Sequence, residues 1–227
     1  MSPQISAESD HSVNTLLNNS DLFITGFRNT LILFFFAGIF ALILGTIVAT
    51  LRVSPIPAMR AAATLYINVV RNTPLTLVLF FFALGYPKLG LVEIDFMTAA
   101  TVGLSLYTAT YVAEAVRSGI NTVPVGQAEA ARAIGLTFTQ TLTVVILPQA
   151  FRAVIPPMFS VFIALLKNTT VAAGFSVAEA GAIRSNLSER GEPAMAGLLW
   201  VALIFVLIVF ILSFAQRKLE KKWKVAR

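Results

Sequence analysis

Two short clusters carry the hydrogen-bond donors of an otherwise apolar chain. One is Arg71, Asn72 and Thr73, just ahead of Pro74; the other is Lys167, Asn168, Thr169 and Thr170, closing a hydrophobic run. A guanidinium or ammonium flanked by amides and hydroxyls is a set suited to holding a carboxylate. Arg71 lies about ten residues into the apolar stretch 61–86. An unpaired charge at such depth costs about 2.5 to 3.5 kcal/mol on insertion scales, so the residue needs a cavity or a partner. Pro74 withholds a backbone hydrogen bond and frees groups in the preceding turn to meet a ligand. Glu114 offers Arg71 a purely structural ion pair instead, and Lys167 also reads as an ordinary lysine at a span end. Catalysis lacks its parts: there is no cysteine, and the one histidine, His11, sits in a polar N-terminal stretch. No catalytic residue and no metal site are expected.

The elements that position these clusters must be membrane helices. Hydrophobic residues make up 57% of the chain and charged ones 12%, with a mean hydropathy of +0.81, far from the mixture of a soluble domain. At roughly 20 apolar residues per crossing, the 227 residues hold about five spans, near 27–51, 61–86, 96–116, 153–173 and 194–215, the fourth entered through Pro156 and Pro157. Residues 1–22 read as a polar tail, 23–219 as a transmembrane domain and 220–227 as a basic tail. No cleavable leader is expected, because the first twenty residues carry Glu8 and Asp10 and lack a basic start.

Loop charges set the orientation. Ten basic residues, from Arg52 and Arg60 through Arg117 and Arg132 to the terminal run, fall on one side of this map and five on the other. The basic side is cytoplasmic by the positive-inside rule, which puts the N-terminus outside and the C-terminus inside. The net charge of +6 is spread along membrane edges and not gathered with aromatics, so nucleic acid is not an expected partner.

The polar loop 117–148 contains a second chemistry, that of gripping another protein. Pro124 suits a helix's first turn and Gly135 its left-handed end, which predicts a helix of about ten residues over Gln127, Glu129, Ala130, Ala131 and Arg132. Its alanines let a partner approach the backbone, with Glu129 and Arg132 as polar anchors. An amphipathic helix lying on the bilayer is the plainer reading of the same pattern.

Glu129-Ala130-Ala131, Gly135 after three intervening residues, Val145, and Leu147-Pro148 together resemble the EAA signature of the membrane subunits of ABC importers, Val145 standing where isoleucine is usual. The stretches Tyr66–Leu75, Tyr111–Ile120, Leu147–Ala150 and Leu165–Thr170 are similar to the polar amino-acid uptake branch, and the likeness runs from about Thr25 to Leu219. It implies an all-α, polytopic fold of the type I importer permease class in a bacterial cytoplasmic membrane. It implies that Gln127, Glu129, Ala130, Ala131, Arg132, Gly135 and Pro148 couple to a cytoplasmic ABC ATPase dimer. ATP and magnesium would be bound by that partner and none in this chain, which lacks a Gly-x-x-x-x-Gly-Lys-Ser/Thr loop. A second permease chain, identical or a sibling, an extracellular solute-binding protein and membrane lipid complete the implied partners. Relatives often carry glycine at the position of Asn72 and aspartate at that of Asn168. Without that acid the local field is more positive, which favours glutamate, then glutamine, over a cationic cargo. Arg71, Asn72, Thr73, Lys167, Asn168, Thr169 and Thr170 are the implied cargo residues. A self-contained ion-coupled carrier or channel is the alternative, weakened by the missing internal repeat.

Overall fold

The computed structural model describes residues 13–223; His11, Glu8, Asp10, Lys224 and Arg227 lie outside them. Among the described residues all regular structure is helical. The first long helix, α1, spans Ser20–Arg52, with Asp21 in its first turn and Arg52 in its last, each on the favourable end of the helix dipole. Its 33 residues rise about 50 Å, more than a bilayer core needs. Next, α2 is Pro57–Asn72, opened by its own proline and stopped two residues before Pro74. A short α3, Leu75–Phe80, continues through a π turn, Phe81–Gly85, and a 3-10 turn, Tyr86–Leu89. The Asp95 carboxylate accepts the Thr98 N–H at 2.9 Å, at the start of α4, Phe96–Asn121.

The rest of the chain alternates short and long elements. α5 is Val125–Ala133, and α6 is Leu147–Asn168, reached through a helical turn at Phe138–Gln140 and a π turn at Thr141–Ile146. A 3-10 stretch, Thr169–Phe175, follows. α7 is Ile183–Glu189 and α8 is Ala194–Trp223.

Contacts divide the chain into two compact units, 1–38 with 74–104 and 164–211, and 39–73 with 105–163 and 212–227. In the first, Phe23, Ala180, Ile183, Leu187 and Val201 form the core, with the Phe27 and Phe205 rings 5.4 Å apart. In the second, Val48, Ala49, Ala63, Ile67 and Ala113 do so. There α1 passes so close to α4 that a Cβ on Gly45 would lie 2.5 Å from the Val112 Cβ and 2.7 Å from the Ala109 carbonyl oxygen. Small residues allow such contacts between membrane helices.

Among the described residues three helices are long and apolar enough to cross a membrane, Ser20–Arg52, Phe138–Phe175 and Ala194–Lys221, or four if the broken pair Pro57–Asn72 and Leu75–Leu89 counts as one. The expected five exceed this count by one. The helix that drops out is α4, which at 26 residues is long enough but carries Ser105, Thr108, Thr110, Glu114 and Arg117. Its Leu104, Ala109, Val112 and Ala113 are wholly buried, and a helix sheathed in protein need not be apolar all round. α8 is the opposite case. Only 6% of its apolar window is buried, and Leu199, Val206, Phe210 and Ile211 stand exposed as a surface for lipid or another chain.

Two further expectations change. Pro156 and Pro157 lie inside α6 and do not open it. The Gln216 amide of α8 donates to the Pro156 carbonyl at 3.4 Å, one way in which neighbouring helices support a proline-containing span. Residues 13–22, assigned to a polar tail, include helix with Thr15 and Asn19 buried. The Arg190 guanidinium donates to the Asn19 side-chain oxygen at 2.9 Å and pairs with Asp21 at 3.2 Å.

Candidate functional site

The short helix α5 is where the sequence places it, from Val125 to Ala133, with Pro124 at the N-cap instead of inside the first turn. Gly135 has φ +90. The Leu136 N–H donates to the Ala131 carbonyl at 3.1 Å and the Gly135 N–H to that of Arg132 at 3.0 Å. This pair of bonds is the Schellman arrangement, which fills the carbonyls a helix end leaves open and requires the left-handed residue. The chain then restarts at once: Thr137 and Gln140 cap each other reciprocally.

Glu129, Ala130 and Arg132 are exposed and surrounded by exposed apolar side chains, Val125, Ile134 and Phe138. Ala131, expected to face a partner, is instead 5% exposed and packs inward. Pro148 is exposed at the second position of α6. Lacking an N–H, it withholds a backbone donor from the turn before it, next to the π turn. Gln149, not assigned a role from sequence, bridges this weak point to α5. Its amide donates to the Val145 carbonyl at 2.7 Å and to the Gln127 side-chain oxygen at 3.0 Å.

In the same unit Arg71 lies in the last turn of α2 and takes up the structural role that sequence left open for it. Its guanidinium reaches Glu114 at 3.4 Å and lies 5.1 Å from the centre of the Tyr111 ring, within cation–π range. Glu114 is shared. Arg52 pairs with the same carboxylate oxygen as Arg71, and Arg117 donates through two nitrogens to the other oxygen at 3.2 and 3.3 Å. Asn72 is exposed. Thr73 has already donated its hydroxyl to the Val69 carbonyl at 2.8 Å, and its N–H goes to Val70 at 3.2 Å. The opening expected from Pro74 is therefore filled locally by Thr73. Beside the ion cluster is a cavity of about 700 Å³ whose polar wall is Arg52, Arg60, Thr64, Asn68, Arg117 and Asn121.

The second predicted cluster belongs to the other unit. Lys167 is exposed and Asn168 half-buried at the end of α6. Thr169 is fully buried, and its hydroxyl donates to the Leu166 carbonyl at 2.7 Å, as that of Thr170 does to Lys167 at 2.7 Å. Both threonines thus satisfy a helix end, and Lys167 keeps the exposed donors of the group.

The polar segment after Phe175 hides a carboxylate. Glu179 is 1% exposed. It accepts the Thr30 hydroxyl at 3.1 Å and the Gly181 N–H at 2.9 Å, and the Thr30 oxygen in turn accepts the Ala180 N–H at 3.0 Å. Burial pushes this carboxyl above the ordinary glutamate value, against the pull of those hydrogen bonds.

Residues 41–225 match the family described as binding-protein-dependent transport system inner membrane component. The chain is 43% identical over 211 residues to the glutamate transport system permease protein GluC of Corynebacterium glutamicum, covering 87% of this chain and 92% of that one. It is 34% identical to the probable glutamine ABC transporter permease protein GlnM of Bacillus subtilis, over 93% and 97% of the two chains. A chain in a crystal structure of an amino acid ABC transporter with histidines superposes with a TM-score of 0.86 at 28% identity, covering 91% of this chain and 96% of that one. The exposed helix α5, closed by its Schellman turn, and the apolar helices around it are thus parts of a multi-pass permease of the bacterial inner membrane, and the chain belongs to the family of binding-protein-dependent transport system inner membrane components.

Proposed function

We propose that this chain forms the membrane pathway of an importer that carries glutamate, or failing that glutamine, into the cell, driven by a cytoplasmic ATPase dimer that grips α5. The observation that carries the coupling role is the Gln149 bridge, because it joins the exposed helix directly to the base of a long apolar one. ATP can bias a transport cycle only if the ATPase holds this helix differently in the two states of the pathway. The cargo assignment draws support from the names of the relatives that share most of the chain. It is supported too by the excess of guanidinium groups over carboxylates around Glu114.

In this reading α4 is the fifth span, its 26 residues rising about 39 Å. The N-terminus is outside, and α5 lies in the cytoplasm with the basic residues that flank it. A second permease chain, identical or a sibling, covers the exposed apolar faces that lipid does not. A solute-binding protein delivers cargo on the outer side, where the segment 176–193 lies. Arg71, Asn72 and Lys167 present polar groups to the cargo. Thr73, Thr169 and Thr170 act behind them, as caps that hold the helix ends in place.

The test is uptake and ATP hydrolysis by the complete complex in proteoliposomes with its binding protein. Glutamate is expected to stimulate hydrolysis most and Glu129→Lys to abolish uptake while the chain still inserts. Stimulation by a cationic amino acid above glutamate, or normal uptake by Glu129→Lys, would remove the cargo and the coupling assignments respectively.

A further inference from the structure

The cavity beside Glu114 has a composition that the ion cluster alone does not explain. Arg52, Arg71 and Arg117 surround one carboxylate; Arg52 and Arg117 line the cavity together with Arg60, which among the described residues pairs with no acid and donates to the Ser54 and Pro55 carbonyls at 2.9 and 3.1 Å. Four cations against a single carboxylate leave three positive charges in excess at the edge of a low-dielectric region. An unneutralised cluster of this kind attracts anions strongly and concentrates them.

The cavity also has a direction. Arg60, Thr64 and Asn68 follow one another at four-residue spacing, and Arg71 comes three residues later, so they form one stripe along α2. Ala63 and Ile67, on the stripe directly beside it, are buried. At 1.5 Å per residue the polar stripe runs about 16 Å from Arg60 to Arg71. Its Arg60 end meets the last residues of α1 and of α4, Arg52 and Asn121. Asn121 is four residues from the start of α5, which fixes the cavity at the coupling-helix end of its unit.

We propose that this cavity is an exit chamber for a small carboxylate anion, which passes from the level of Arg71 down the Asn68–Thr64 stripe before leaving between Arg52, Arg60 and Arg117. The guanidiniums meet the carboxylates of the cargo. The amide oxygens of Asn68 and Asn121 and the Thr64 hydroxyl accept from its ammonium group. A volume of about 700 Å³ admits an amino acid with its water, so the chamber holds cargo loosely, as an exit requires. The inference rests on the proposed import of an anionic amino acid and adds to it a route and a charge filter on the release side.

The chain contains no cysteine, so Thr64→Cys and Asn68→Cys each give this chain a single thiol, whose labelling is followed on this chain within the complete complex. Each is treated in membranes with two methanethiosulfonate reagents of similar size, one bearing a sulfonate and one a trimethylammonium group. The sulfonate reagent is expected to react about tenfold faster at both positions, and the ratio to fall towards one when Arg60→Gln is added. Using the ratio removes the effect of the field on the thiol itself, which is common to both reagents. Equal or reversed rates at both positions overturn the chamber. So does failure of either reagent to reach the thiols, as when lipid or a second chain fills the space. Glutamate uptake measured on the same membranes separates the two ideas: anion-selective labelling without glutamate uptake keeps the chamber and rejects that cargo, whereas uptake with charge-blind labelling rejects the chamber alone.

Discussion

The Gln149 amide donates to the Gln127 side-chain oxygen across 3.0 Å, and to the carbonyl of Val145 at 2.7 Å. One side chain thus ties the short helix α5 to the turn at which α6 begins. That turn is the softest part of the long helix, since it combines a π stretch, Thr141–Ile146, with Pro148, and such places bend more easily than regular helix. A displacement of α5 along this bond is applied where α6 yields. Replacing Gln149 with leucine removes both bonds at nearly constant volume. A hydrogen bond of this kind contributes about 0.5 to 1.5 kcal/mol, so Gln149→Leu is expected to lower uptake about two- to tenfold. ATP hydrolysis by the complex should fall less than uptake, and the ratio of cargo moved to ATP consumed in proteoliposomes reads the difference. An unchanged ratio with normal uptake would take the bridge out of the coupling path.

Gly135 closes the same helix with φ +90, and a Cβ there would meet nothing within 4 Å. The expense of a side chain is therefore in the backbone alone, about 1 to 2 kcal/mol for a residue that must adopt the left-handed region. Gly135→Leu is expected to unravel the Schellman turn and weaken retention of the ATPase during purification, while Gly135→Asn, tolerant of that conformation, should keep most of it. Equal loss with both residues would point to a contact made by the glycine surface and not to its geometry.

The helix α5 was legible from the sequence because its signals are local: Pro124 before it, Gly135 after it, and small residues between. The long helices α1 and α8 announced themselves by composition for the same reason. What escaped is non-local. The burial of Glu179 is not legible in sequence because its hydroxyl partner, Thr30, lies 149 residues away. Thr73, Thr169 and Thr170 looked like cargo ligands because a list of residue types does not reveal that each hydroxyl has bonded a carbonyl three or four residues back. A test of length and apolarity passes over α4 because a helix buried in protein no longer needs the uniform apolarity that lipid enforces. The pairing of Arg71 with Glu114 was visible as an option, but Arg52 and Arg117 on the same carboxylate were not.

That sharing makes Glu114 the residue on which the arrangement of three arginines depends. Its side chain is 24% exposed, so the pairs are neither fully screened nor fully desolvated. Glu114→Gln keeps the shape but removes the charge. The loss of charge-assisted hydrogen bonds, each contributing about 1.5 to 3 kcal/mol, together with repulsion among the guanidiniums, is expected to lower the melting temperature of the complex in detergent. Adding Arg117→Gln to Glu114→Gln should restore part of the loss, because it removes one of the charges left without a counterion. If the double variant melts lower still, by the sum of the single effects, the cluster is not acting as a unit.

Glu179 gives a prediction of opposite sign from the usual acid effect. Burial raises its pKa above the ordinary 4.5, so the folded chain holds this proton more tightly than the unfolded chain does. Linkage then requires that the contribution to stability be fully present below pH 4.5 and be lost as pH rises through the folded-state value. Glu179→Gln cannot ionise and keeps one oxygen to accept from Thr30 or Gly181. The variant is expected to show a flatter dependence of melting temperature between about pH 4 and 8 and to be at least as stable as the parent chain at neutral pH. Glu179→Ala should be less stable at every pH, since it orphans the buried Thr30 hydroxyl and the Gly181 N–H. A parent chain whose stability rises across that range with the glutamine variant parallel to it would show that the carboxylate is held charged by something stronger than these two donors.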